Sequence, residues 1–131
     1  TYAWYFPTDK YFPEQPEYFA LLNGRRQPSQ LCCTNEDVIR LSVEKTCQIF
    51  RDHPEVTITG IGPNDGRGFC DCPECKKLDD ENGGRSGSYF WMVNKIAEGV
   101  AKEFPDRRII PRRTARRRSC SAGHADTCSP N

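Results

Sequence analysis

From Asn35 to Asp52, apolar side chains recur at Ile39, Val43, Thr46/Cys47 and Phe50, flanked by Val38, Leu41 and Ile49. That spacing draws one broad apolar face along an α-helix. Thr34-Asn35-Glu36-Asp37 precedes it in the form of a capping box, with Thr34 placed to accept from the backbone three residues on and Asp37 to reach back. His53-Pro54 ends the helix, and Val56 to Ile61 follows as a short strand rich in β-branched residues. A loop of glycine, proline, Asn and Asp runs from Gly62 to Phe69. A second helix is predicted from Ser86 to Phe104, with Phe90, Val93, Ile96/Ala97, Val100/Ala101 and Phe104 on one face and Pro105 as its stop. Arg108-Ile109-Ile110 is then the next strand. Helix, strand, helix, strand is the order from which parallel α/β folds are built, so the Val56 to Ile61 strand is expected to lie parallel to the one near Ile109.

The chain's beginning follows no such period. Its first 19 residues hold eight of the fourteen aromatics, interleaved with Pro7, Pro13 and Pro16. Proline at that density breaks helices and central strands, so the segment is read as irregular, with one helical turn around Glu17 to Leu22 closed by Asn23-Gly24. Two roles stand open for it: an aromatic wrap over the core, or a platform facing a ligand.

Charge divides the chain more sharply than hydropathy does. Residues 1 to 106 carry 12 Lys and Arg against 17 Asp and Glu, whereas residues 107 to 131 carry seven Arg against the single Asp126. The division places a domain at 1–106 and a basic tail at 107–131, too poor in apolar surface to offset its ordering entropy. With 131 residues, 36% hydrophobic and 28% charged, the chain is long enough for one domain, and no apolar run reaches the roughly 18 residues that cross a bilayer. The chain begins at Thr1 without a basic-then-apolar leader, so localisation has to be argued from something else.

The strongest local chemistry is Cys70-Asp71-Cys72-Pro73-Glu74-Cys75. Three thiols in six residues, closing on a Cys-Pro-x-Cys knuckle, can turn their sulfurs toward one point, as tetrahedral zinc requires. The best fourth ligand is Cys32, because its loop leads into the helix before the next strand, and successive strand-to-helix loops share one face of an α/β sheet. A disulfide network and buried free thiols are the other two readings of these residues. Cys47 falls on an apolar helix face and is read as a small hydrophobe. Asn64-Asp65-Gly66 follows the strand's C-terminal end, where α/β enzymes hold catalytic carboxylates, although the same tripeptide is ordinary turn chemistry. Gly83 to Ser88 lacks the ending of a phosphate loop, and His53 and His124 lie too far apart in the chain to support a Cys/His pair.

Taken together, Tyr11 to Gln27, Gln30-Leu31-Cys32, Asn64-Asp65-Gly66 and Phe69 to Cys75 resemble a bacterial family, the domain-of-unknown-function family 4838, over roughly residues 4 to 106. The resemblance implies a fragment of a (β/α)₈, TIM-type barrel of about two β/α units, in glycoside hydrolase-like proteins that are often secreted. It further implies a complex carbohydrate as partner. For such a partner Asp65, at the strand's end, is the candidate catalytic carboxylate, Asn64 beside it suits hydrogen bonds to vicinal hydroxyls, and Trp4 and Tyr5 are aromatics of the kind that stack on a pyranose ring. A secreted or periplasmic location follows from the same resemblance. This chain departs from the family pattern at Gln15, where a His is usual, and at Cys33, where a Leu is usual. The Arg-rich stretch after Ile110 departs further and resembles an out-of-frame reading of a GC-rich gene. The rival expectations are a small zinc-stabilised binding module whose basic arm holds a polyanion, and a nucleic-acid-binding domain, against which the acidic body argues.

Overall fold

The computed structural model describes residues 1–112. Two short helices, α1 (Tyr2–Tyr5) and α2 (Thr8–Tyr11), and a 3₁₀ turn at Pro16–Tyr18 lead into strands β1 (Phe19–Leu22) and β2 (Arg25–Leu31). Helix α3 (Glu36–Asp52), strand β3 (Ile58–Ile61), helices α4 (Pro73–Glu81) and α5 (Gly87–Ala101), and strand β4 (Arg108–Pro111) complete the order. Strands β3 and β4 pair in parallel, from Ile58 opposite Arg108 to Ile61 opposite Pro111, with α5 in the connection between them. The expected alternation of helix and parallel strand is therefore present. It forms a mixed α/β arrangement with two separate two-stranded sheets.

The first sheet corrects the reading of Glu17 to Leu22 as a helical turn. Only Pro16–Tyr18 is helical, and β1 and β2 form an antiparallel hairpin through Asn23-Gly24. Both turn residues have positive φ, 50° and 75°, the conformation that a two-residue hairpin loop demands and that Asn and Gly adopt most readily. A register shift between Phe19 and Ala20 bends the hairpin, pairing Phe19 with Leu31 and Ala20 with Gln27.

Helix α3 begins one residue later than a Thr34 cap would allow. Its N-cap is Asn35, whose side-chain oxygen accepts from the backbone of Asp37 at 3.0 Å and Val38 at 3.1 Å. The capping box is thus corrected, and Thr34 is freed to point elsewhere. Helix α5 is capped from outside its own sequence, since the buried carboxylate of Asp79 in α4 accepts from Ser88 N–H at 2.7 Å. Helices α3 and α5 meet at Gly99, where a Cβ would come within 2.6 Å of the Val43 side chain. Phe50 from α3 and Met92, Ile96 and Val100 from α5 are buried together in the core.

The aromatic start of the chain is mainly a core wrap. Tyr2, Tyr5, Phe6, Tyr18 and Phe19 are buried, and Lys45 lies over the rings of Phe6 and Tyr11 at 4.6 and 4.5 Å. The domain boundary at 106/107 falls inside the fold. Arg107 donates to the carbonyls of Pro54 and Val56, and β4 begins at the next residue. A charge tally cannot see this, because it scores a partly buried, structurally engaged arginine like any solvated one. The rest of the basic tail, residues 113–131, lies outside the described residues.

Candidate metal centre

Each cysteine of the cluster is placed by local backbone chemistry. Cys32 directly follows β2, and its N–H donates to Tyr18 O at 2.9 Å, fixing it to the entry of the hairpin. The 70–72 stretch runs alongside β1: Asp71 N–H donates to Leu21 O at 2.8 Å, and Leu21 N–H donates to Cys70 Sγ at 3.3 Å. Cys72 is the N-cap residue of α4, Pro73 sits in its first turn, and Cys75 follows in the same turn. Proline fits there because its missing N–H would have no intrahelical partner.

The four sulfurs of Cys32, Cys70, Cys72 and Cys75 lie within 4.8 Å of one another, and all four residues are buried. Cys32 Sγ is 3.7 Å from Cys72 Sγ and 4.0 Å from Cys75 Sγ. A tetrahedron with metal–sulfur bonds of about 2.3 Å has edges of about 3.8 Å, whereas a disulfide needs about 2.05 Å. The spacing is too long for a disulfide and leaves room for a metal ion among the sulfurs, and the six cysteines of the described region are free thiols. The set of four predicted from sequence is therefore brought together and could hold a metal ion.

Proton sharing inside the cluster is uneven. Hydrogen bonds from Cys70 and Cys75 hold the Cys32 thiol well below its ordinary range. The same sharing pushes Cys70 up to about 11 and raises Cys75 as well. One sulfur thus gives up its proton easily because its neighbours donate to it, and a cation replaces that proton sharing with direct bonds to all four. Cys33 takes no part: its sulfur lies 3.9 Å from the Tyr2 hydroxyl, and burial pushes its thiol up to about 12. Cys47 is buried in α3, in keeping with its place on the apolar face.

Sequence reasoning missed Thr34 and Leu21 as neighbours of the cluster. Thr34 Oγ1 lies 3.3 Å from Cys75 Sγ and 3.6 Å from the sulfurs of Cys32 and Cys72. Its adjacency to Cys32-Cys33 was the available signal, masked by its resemblance to a helix cap. Beside the centre, an open cleft of about 690 Å³ runs between the hairpin turn at Asn23 and Gly24 and the side chains of Asp71, Lys76, Asp80 and Arg85. Arg85 crosses its wall to Asp71 at 2.7 Å.

The other predicted site residues are distributed differently. Asp65 is exposed on the loop after β3. Asn64 latches two segments together: its Oδ1 accepts from Ala3 N–H at 2.9 Å and its Nδ2 donates to Ser29 O at 3.1 Å. Its backbone exchanges two more bonds with the buried Gln30 side chain, at 2.9 and 2.8 Å. Tyr5 is buried and its hydroxyl meets Thr46 Oγ1 at 3.2 Å, which gives it a place in the core. Trp4 is 67% exposed and adjoins Ala3, so the bond from Ala3 to Asn64 brings it to the same loop as Asp65.

No helix among the described residues is long and apolar enough to cross a membrane. Among curated proteins and among solved structures, none matches the chain. The sequence model of the family described as Domain of unknown function (DUF4838) matches residues 1–111. That span takes in the hairpin, all four clustered cysteines and β4, and the chain belongs to the DUF4838 family.

Proposed function

We propose that this chain is a zinc-clasped α/β portion of a secreted, carbohydrate-active, glycoside hydrolase-like protein, and that the zinc is structural. The carrying observation is the gathering of four buried sulfurs within 4.8 Å of one another, two of the separations being 3.7 and 4.0 Å. An all-sulfur set leaves no open coordination position, which is the arrangement of structural rather than catalytic zinc. Bound there, the ion would join the end of β2 to the β3–α4 connection and so hold the hairpin against the helices.

The carbohydrate part of the reading is supported by the family resemblance and by the loop face. The β3–α5–β4 succession supplies a unit of the kind from which a (β/α)₈ barrel is built. The outward face of its sheet carries Ile58 and Ile110, 52% and 48% exposed, where parallel sheets ordinarily have both faces covered. Further strands of a longer polypeptide would cover it. Asp65 and Trp4 then lie beyond the carboxyl end of β3, the side on which α/β proteins bind ligands. Asp65 would serve as general acid or base only opposite a second carboxylate about 5 to 10 Å away.

Tryptophan fluorescence titrated with soluble xylan, galactomannan and chondroitin sulfate tests this reading. Saturable quenching is expected with at least one of them, lost in Trp4→Ala and weakened about tenfold, or about 1.4 kcal/mol, in Asp65→Asn. Absence of quenching with all three, or quenching indifferent to both substitutions, would contradict it.

A further inference from the structure

We propose that Thr34 is a positioning residue of the metal centre, its hydroxyl donating to the cluster sulfurs and setting both their affinity for the ion and their donor strength. The inference rests on the metal reading above and extends it to the shell around the ligands. Thr34 Oγ1 stands within hydrogen-bond reach of three of the four sulfurs, at 3.3 Å from Cys75, 3.6 Å from Cys32 and 3.6 Å from Cys72. No other side-chain hydroxyl among the described residues bonds to this cluster. Once a metal is held, every ligand sulfur is a thiolate without a proton, so the hydroxyl must be the donor. It carries one proton and gives it chiefly to Cys75, the nearest acceptor and a residue wholly removed from solvent.

The local backbone explains why this hydroxyl is available. Threonine immediately before Asn-Glu-Asp would ordinarily cap the following helix, but Asn35 has taken that role with two bonds to α3. Thr34 is thereby released to turn inward over the sulfurs. On the opposite side, Leu21 N–H donates to Cys70 Sγ at 3.3 Å, so donors approach the cage from two elements of the fold. Four thiolates around one divalent cation leave a net charge of two minus in a buried site. Hydrogen bonds to sulfur disperse that charge, and outer partners of this kind commonly carry about 10- to 100-fold in metal affinity.

Cobalt(II) is the probe, titrated into the whole chain and displaced by zinc, with Thr34→Val removing the hydroxyl at nearly constant shape and Thr34→Ser restoring it. Native protein and Thr34→Ser are expected to show tetrahedral cobalt bands and a sulfur-to-cobalt charge-transfer band at one energy. In Thr34→Val that band moves to lower energy, because an undonated sulfur holds its electrons less tightly, and metal affinity falls about 10- to 100-fold. Thr34→Ala supplies the same comparison if the valine variant folds poorly. A purely space-filling residue would leave the band unmoved in Val. An unmoved band with affinity within about twofold of native overturns the role of Thr34 while the metal centre stands. If native protein binds cobalt without a thiolate band, both the centre and the role of Thr34 fall together.

Discussion

Stripping zinc from the protein with a strong chelator is expected to lower its melting temperature by about 15 °C. With free zinc at about a thousand times its dissociation constant, linkage alone contributes about 4 kcal/mol to the folded state, and for a body of this size each kcal/mol is worth about 4 °C. The effect is concentrated at the hairpin. β1 and β2 form an isolated two-stranded sheet, which is marginal by itself, and their ties to the rest of the fold include Cys32, the Leu21 contacts to Cys70 and Asp71, the Ser29 bond to Gly68, and Asn64. Cys75→Ser should melt where the chelated native protein melts and should not respond to chelator. The reason lies in its position: Cys75 is fully buried in the first turn of α4, and serine there offers a poorer ligand and cannot restore the cage. A Cys75→Ser protein that melts with the native one, both indifferent to chelator, would mean that the four thiols are inert packing.

The second large effect belongs to Phe50. Its ring is 1% exposed, lies 5.6 Å from the ring of Phe104, and has the Arg107 guanidinium 5.7 Å from its centroid. Arg107 in turn binds the carbonyls of Pro54 and Val56, and its Nε stands 3.6 Å from Asp106 Oδ2, so the guanidinium is held over the Phe50 ring by both neighbouring segments. Phe50→Ala is therefore expected to cost about 3 to 5 kcal/mol in urea unfolding, from lost burial and a residual cavity. Part of that loss would be felt at the β3–β4 pair, which starts beside Arg107. Phe50→Leu should recover most of it. A cost below about 1 kcal/mol for the alanine variant would show that this end of the α3–α5 interface is not the packed core described above.

What could be read from sequence followed the strength of its physical signal. Helices α3 and α5 were legible because 17 and 15 residues give an apolar face several turns in which to repeat, and because Pro54 and Pro105 mark their ends. The parallel β3–β4 pair followed from their alternation with α5. The hairpin was not legible, since β2 reads Arg-Arg-Gln-Pro-Ser-Gln-Leu with no alternation of apolar and polar positions. Its one buried polar residue, Gln30, is satisfied by the backbone of Asn64, 34 positions away, and no local pattern announces such a bond. Asn23-Gly24 is the one local signal for it, since that dipeptide suits a two-residue hairpin turn as well as a helix stop. Helix α4 is short and mostly polar, so it offers no apolar period to read between the cysteines and Gly83. The cluster itself was legible because metal ligation constrains residue type and spacing together. The reading of Asn64, Trp4 and Tyr5 carries no comparable constraint of type with spacing, and in the fold Trp4 is exposed, Asn64 half-buried and Tyr5 buried.

Zinc K-edge X-ray absorption on the purified whole chain loaded with one equivalent of zinc tests the central claim most directly. The account predicts a single shell of four sulfur atoms at about 2.3 Å from the ion, with no nitrogen or oxygen neighbour. A first shell of mixed oxygen and nitrogen, or sulfur–sulfur pairs at about 2.05 Å in place of a zinc shell, would contradict it.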